Sequence, residues 1–377
     1  MIPEIKKIEV FFRDTFAGTL QTDPYSGVCV FEYSKAWLAG GFSLSPTELP
    51  LEKGLIYADK ERLGGAFGTF EDSLPDGYGL YLIDRLLKKK GSSLRELSPL
   101  QRLSLIGPNG MGALSYRPVS DGFGQQKEIS EELSLDAFQE EVFDVLGEKE
   151  AGDPALLYNN SANSGGARPK AAMKAGDGSH WLVKFRQTYD PISSGKTEFL
   201  YMSTAAECGI TVPRMRLLEG KYFASERFDS DRAGNRQHVL TAAALLKTDF
   251  RSQSTDYTNL LALTGYLTQS SEQVEQMFRR MVMNLVAINK DDHAKNFSFI
   301  CNEGNWELAP AYDITYSPAG SNGEHATSLF YDGNPGLDLV LKAGTQIRIP
   351  RARCLEIISE VESICRKNLP KVEMLSR

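Results

Sequence analysis

The sequence predicts an α+β fold, rich in strands through its first part and in helices through its second. Three observations carry this. Short alternating runs, Ile8-Glu9-Val10-Phe11-Phe12, Gly18-Thr19-Leu20-Gln21 and residues 28–33, are separated by Asp, Gly and Pro turns. A second strand pair, Lys170–Lys174 and residues 181–185, brackets the turn Gly176-Asp177-Gly178. From His238 onward the pattern turns helical, through residues 239–246, 257–267 and a long segment after Ser270.

A length of 377 residues suggests about two or three domains. Apolar content of 41% and charged content of 24% are those of an ordinary soluble globular chain. A formal charge of −7 argues against broad, nonspecific nucleic-acid binding. The five cysteines (Cys29, Cys208, Cys301, Cys354, Cys365) are odd in number and scattered, which suits reduced thiols better than a disulfide framework. No apolar run approaches transmembrane length, and the N-terminus does not read as a signal peptide. The expectation is a cytoplasmic protein with no membrane partner.

After the first strands, helices are expected over 78–90, with Gly91 as a C-cap, and over 99–105. The cluster Gly107-Pro108-Asn109-Gly110-Met111-Gly112 has no following lysine and enters a strand, so it reads as a tight turn. Residues 120–129 are polar and form a plausible boundary. An amphipathic helix follows from about Ser134, with Phe138, Val142, Phe143 and Leu146 on one face. The expected division is 1–120, 121–232 and 233–377, with a final helix over 351–367.

Ser161-Ala162-Asn163-Ser164-Gly165-Gly166-Ala167-Arg168-Pro169-Lys170 is a glycine-rich loop feeding a hairpin. Such a loop lets backbone amides approach a polyphosphate with no side chain in the way. Lys184 sits in an apolar strand, where an anionic partner would offset its burial; a place on the strand's exposed face is the alternative. Glu198 lies in the first turn of a helix expected to begin near Thr197 and end at Gly209, where the helix dipole alone accounts for a carboxylate.

The most informative stretch follows the helix capped by Ser270 and Gln273, with Val274, Met277, Phe278, Met281, Val282, Leu285 and Val286 on its buried face. That helix delivers Asn289-Lys290-Asp291-Asp292-His293-Ala294-Lys295-Asn296. A hairpin, residues 297–300 and 306–308 around Asn302-Glu303-Gly304-Asn305, then leads to Tyr312-Asp313-Ile314. An Asp, an Asn five residues on and a second Asp after a hairpin is how protein kinases arrange a base and two magnesium ligands. Magnesium takes hard oxygen ligands, and an attacking hydroxyl needs a carboxylate to accept its proton. The alternative is a polar loop whose side chains only satisfy turn backbone.

Residues 289–298 with Tyr312-Asp313-Ile314 resemble the HipA family of bacterial serine/threonine toxin kinases, and residues 70–77 and 106–114 are similar to that family's amino-terminal domain. The resemblance implies a two-lobed protein-kinase-like fold, a β-rich small lobe and a helical large lobe, with an extra β-rich amino-terminal subdomain. It implies ATP and Mg2+ as cofactors. Asp291 would be the base or hydroxyl-orienting carboxylate, with His293 and Lys295 on the γ-phosphate side and Asn296 and Asp313 as metal ligands. Ser164, Gly165, Gly166, Lys170 and Lys184 would hold phosphate, and Glu226 to Phe228 would form the hinge that meets the adenine. The implied partners are a helix-turn-helix (HipB-like) antitoxin and a protein substrate, sometimes in translation, with DNA reached only through the antitoxin.

Three departures stand out. Arg168 occupies a position where many relatives have glutamine; Asp291 and Asp292 are consecutive where some relatives have one carboxylate; and the serine that relatives autophosphorylate is out of register. Counting back from Lys170 lands on Asn163, which leaves Ser164, then Ser161, as candidates. Two other functions fit the same fold: a small-molecule or lipid kinase, and a non-catalytic co-repressor.

Overall fold

Alternation across Lys7–Phe12 buries Ile8 and Val10 and makes strand β1 of a computed structural model that describes residues 3–119, 127–130, 133–161, 165–249 and 255–375. The chain divides into two units. Met1–Gly195, Met215–Leu240 and Asn302–Gly304 form the first; Lys196–Arg214, Thr241–Cys301 and Asn305–Arg377 form the second.

In the first unit β1 pairs antiparallel with β2 (Thr15–Thr22), with a bulge at Val10/Phe11; β3 (Cys29–Tyr33) and β4 (Ile56–Tyr57) follow on that side. Helices α1 (Lys35–Gly40), α2 (Gly68–Glu71), α3 (Gly77–Lys89) and α4 (Pro99–Ile106) come before β5 (Leu114–Arg117), which closes the sheet against β1. Pro99 at the first turn and a Ser98/Gln101 capping box fix the start of α4. Gly107 ends α4 at φ 55, so the glycine cluster does serve as a turn into a strand.

The second sheet has the order β6-β7-β8-β10-β9. It comprises β6 (Ile129–Ser130), β7 (Lys170–Lys174), β8 (His180–Lys184), β9 (Met215–Leu218) and β10 (Tyr222–Glu226). Helices α5 (Leu135–Leu146) and α6 (Pro154–Asn160) cover it, each with a side-chain N-cap, from Ser134 and Asp153. Ala171, Met173, Trp181, Val183 and Ala224 face the helices and join one hydrophobic core with Phe138, Val142, Leu157 and Tyr158. That core continues through Phe31 and Tyr116 of the first sheet and Phe70 of α2. Strand β11 (His238–Thr241), of which His238 to Leu240 belong to this unit, lies where a helix was expected from 239. All four of its residues are buried, and so short an unbroken apolar run carries no period that distinguishes strand from helix.

The second unit is helical. It holds α7 from Lys196 on (Ser194–Glu207), α8 (Ala242–Leu246), α9 (Tyr257–Thr268), α10 (Ser271–Val286), α11 (Leu337–Gln346) and α12 (Arg351–Asn368). Two short parallel strands, β12 (Thr255–Asp256) and β15 (Thr327–Ser328), pair, and β13 (Ser298–Asn302) neighbours β14 (Asn305–Leu308). α10 is buried on nearly all sides, including Arg279, which donates to Glu360 at 2.6 Å, and Arg280, whose guanidinium donates to the Ala309 carbonyl at 2.6 Å. Among the described residues no helix is long and apolar enough to cross a membrane. All five cysteines are buried.

Candidate active site

α10 positions the central loop. Ser270 accepts from Gln273 N at 3.3 Å, while the Gln273 side-chain carbonyl accepts from Leu308 N at 2.6 Å, so one residue both starts the helix and ties it to β14. The helix ends at Ala287, and Ile288 turns the chain at φ 55. Asn289 folds back on α10: its N–H donates to the Asn284 carbonyl and its Nδ2 to Asn284 Oδ1, both at 2.9 Å. Asn284 Nδ2 in turn reaches the Tyr257 hydroxyl at 3.0 Å.

The two adjacent carboxylates have opposite surroundings. The Asp291 side chain is 65% exposed, with His293 Nε2 3.9 Å from Oδ1. Asp292 is fully buried and accepts from Tyr257 Oη at 2.6 Å, His325 Nδ1 at 2.9 Å and Thr327 N at 3.2 Å. Burial first, and then the Asp292 charge, push the Tyr257 phenol well above its ordinary pKa, so it remains a donor.

The backbone of this loop is held as firmly as Asp292. Three successive carbonyls are taken: Lys290 by Ala326 N at 3.0 Å, Asp291 by Asn296 Nδ2 at 2.7 Å and Asp292 by Thr327 Oγ1 at 2.5 Å. Asn296 ends the 3-10 turn Ala294–Asn296. With Nδ2 donating to a carbonyl, Oδ1 is the atom of this amide that could serve as a hard-cation ligand. The Lys295 carbonyl accepts from Tyr312 Oη at 2.7 Å, which ties the loop to the residue before Asp313. Asp313 is half-buried at φ 57, a left-handed conformation that Asp tolerates better than most residues. One amide oxygen and one carboxylate suit magnesium, which keeps its other positions for water and phosphate.

The phosphate-type elements belong to the first unit. Lys170 is buried, and its Nζ donates to the Gly165 carbonyl. Gly166, at φ 102, donates its N–H to Asp76 Oδ1, and its carbonyl accepts from Tyr78 N at 3.2 Å. The N-terminus of α3 therefore clasps the glycine loop. A Cβ on Gly77 would stand 2.6 Å from Ala167 Cα, so only glycine allows this approach. Lys184 is the cross-strand partner of Lys170, and its Nζ lies 5.7 Å from the Phe223 ring centre.

Ser161 is buried with its hydroxyl donating to the Tyr158 carbonyl at 2.9 Å; Ser164 lies outside the described residues. Glu226 and Phe228 are half-buried and flank Arg227. Arg227 N donates to the His180 carbonyl at 2.8 Å, and its guanidinium grips Asp229 at 2.9 and 2.7 Å. Asp229 also accepts from Gly112 N at 3.1 Å, so the glycine turn of the first sheet anchors the expected hinge.

Sequence reasoning missed Asp76, Tyr257, His325 and Thr327. Their partners lie 90 residues away for Asp76 and 33 to 35 for the other three. No local spacing signals such contacts.

A β-rich unit bearing a glycine loop and paired lysines, with a helical unit bearing an Asp–Asn–Asp loop, defines an α+β chain of protein-kinase-like fold. The model of the HipA-like C-terminal domain matches residues 162–369, and that of the HipA N-terminal domain matches residues 8–117. The chain belongs to the HipA family. It is 24% identical over 352 residues to a serine/threonine-protein kinase toxin HipA of Shewanella oneidensis, covering 81% of this chain and 74% of that protein. It is 27% identical over 191 residues to a putative kinase, Y4dM, of Sinorhizobium fredii, covering 46% and 45%. In fold it is similar to the Shewanella oneidensis HipA solved with HipB and operator DNA, at a TM-score of 0.67 and 19% identity, covering 97% of this chain and 92% of that one.

Proposed function

We propose that this chain is an ATP- and magnesium-dependent protein serine/threonine kinase of the HipA type, acting on a protein substrate and restrained by a helix-turn-helix antitoxin. The carrying observation is the division of labour between Asp291 and Asp292. Asp292 is consumed by three buried donors, whereas Asp291 presents its carboxylate to solvent from a backbone pinned on both sides.

In this reading Asp291 accepts or orients the proton of the attacking hydroxyl. Lys184 and Lys170 hold phosphate charge, with Gly165 and Gly166 allowing close approach. Glu226 to Phe228 meet the adenine, and His293 and Lys295 line the γ-phosphate side. Asn296 Oδ1 and the Asp313 carboxylate would hold magnesium, which when bound neutralises charge building on the β- and γ-phosphates. The antitoxin partner is supported by family membership and by the Shewanella complex of HipA with HipB.

The test is radiolabel transfer from ATP–magnesium to lysate proteins and, separately, to lysate metabolites. Label in protein supports the reading; label in metabolites alone moves the substrate to a small molecule, and no label with intact folding points to a co-repressor.

A further inference from the structure

His325, Ala326 and Thr327 grip the Asp291 loop from below. His325 Nδ1 and Thr327 N take the two oxygens of the Asp292 carboxylate, Thr327 Oγ1 takes the Asp292 carbonyl and Ala326 N takes the Lys290 carbonyl. Asp291 is thus flanked on both sides by residues held by one tripeptide. The tripeptide is itself anchored. His325 N donates to the Gly333 carbonyl at 2.9 Å, and Thr327 pairs with Thr255 in the β15–β12 ladder. Next to it, Ser328 Oγ donates at 2.8 Å to Asp256, the N-cap of α9.

A carboxylate has no proton to give, so the proton between Asp292 and His325 sits on Nδ1 of the imidazole. Both side chains are almost wholly removed from water, at 0% and 3% side-chain exposure. A buried carboxylate that loses one of its donors must find another or move, and moving Asp292 moves the residue bonded to it.

We propose that His325 is a positioning residue: through Asp292 it fixes the backbone that presents the Asp291 carboxylate. This rests on the reading of Asp291 as the carboxylate that meets the attacking hydroxyl. His325 itself touches no reacting atom. Its effect is on the geometry of the chemical step, where a displacement of about 1 Å costs on the order of 100-fold in rate.

The experiment compares wild type, His325→Leu, His325→Asn and Tyr257→Phe in the full chain. Leucine removes the Nδ1 donor; asparagine puts an amide N–H near the same place; Tyr257→Phe removes a different donor from the same carboxylate without changing ring volume. The expected result for His325→Leu is a kcat lower by about 10- to 100-fold, with KM for ATP within about twofold of wild type. His325→Asn should recover most of that loss, and Tyr257→Phe should lower kcat with the same unchanged KM. Amide hydrogen exchange across residues 289–293 should accelerate in His325→Leu while that of α9 and α12 does not.

An unchanged kcat in folded His325→Leu, or unchanged exchange at 289–293, overturns the proposal. So does a loss that only tracks the fraction of folded enzyme. If His325→Leu fails to fold, the same two readouts on Tyr257→Phe decide it. If wild type itself transfers no phosphate, the proposed function fails, and hydrogen exchange alone then decides whether His325 fixes this loop.

Discussion

Lys170 and Lys184 face each other directly across the β7–β8 ladder, so two ammonium-bearing side chains leave the same face of the sheet at neighbouring positions. Like charges directly opposite are unfavourable in a bare sheet. A polyphosphate between them reverses the sign of that interaction. Lys184→Ala is therefore expected to weaken ATP binding by about 10- to 100-fold, the range of one charge-assisted hydrogen bond, and to leave adenosine binding nearly unchanged. Calorimetry with both ligands checks this; equal losses for the two would make Lys184 a structural residue.

The clasp of α3 on the glycine loop gives a second expectation. Gly77 stands at φ 38, and an added Cβ meets the backbone of Gly166 and Ala167, which is not a flexible tip that can swing away. Gly77→Ala should destabilise the first unit by about 1–3 kcal/mol. It should also reduce ATP affinity several-fold by displacing the loop. Urea denaturation and ATP titration on the same protein check both. Wild-type values in both would mean that the loop adapts without cost.

His238 sets an acid limit on the same unit. It is buried, its Nε2 donates to the Leu44 carbonyl at 2.7 Å, and burial lowers its pKa to about 4 from the usual 6.5. The unfolded chain then binds the proton first as pH falls, so stability is full above about 6.5 and declines between 6.5 and about 4. The full loss from this residue is on the order of 3 kcal/mol. His238→Gln, which keeps an N–H donor and cannot titrate, should flatten the decline in that window. Denaturant midpoints measured from pH 7.5 to 4 report it, and an identical slope in the variant would assign the decline to other groups.

Much of the second unit was legible. The spacing of Met277, Phe278, Met281, Val282, Leu285 and Val286 marks a helix because its apolar side chains recur at a helical period; that the polar Arg279, Arg280 and Asn284 are buried as well leaves no such trace. The hairpin after Asn296 announces itself through Asn302-Glu303-Gly304-Asn305, whose central residues take φ 50 and 93. β9 and β11 were not legible: the first is half-buried throughout and the second wholly buried, so neither alternates. The donors to Asp292 were hidden for another reason. Tyr257 and His325 lie 35 and 33 residues from it, and a buried hydrogen bond leaves no periodic trace in sequence.

The phosphate loop carries a further expectation. Phosphorylation in it brings roughly −1.5 to −2 charges next to a triphosphate, which would drive the loop outward and lower activity. Ser161 has its hydroxyl committed to the Tyr158 carbonyl inside the fold, so Ser164 is the expected site. Mass spectrometry after incubation with ATP–magnesium, on wild type and on Asp291→Asn, tests this. Modification outside 161–164, or none, removes the switch; modification that persists in Asp291→Asn would have been placed by another kinase.

The most direct test sets the two neighbouring carboxylates against each other. Asp291→Asn is nearly isosteric, lies in solvent and cannot accept the hydroxyl proton, so transfer should be abolished while folding and ATP–magnesium affinity remain near wild type. Asp292→Asn places an amide against the donors Tyr257, His325 and Thr327, so it should first of all cost about 1–3 kcal/mol of stability. The measurement is radiolabel transfer to protein beside calorimetry with ATP–magnesium and urea denaturation for both variants. Turnover retained by Asp291→Asn and abolished in a fully stable Asp292→Asn would contradict the assignment and move the base to Asp292.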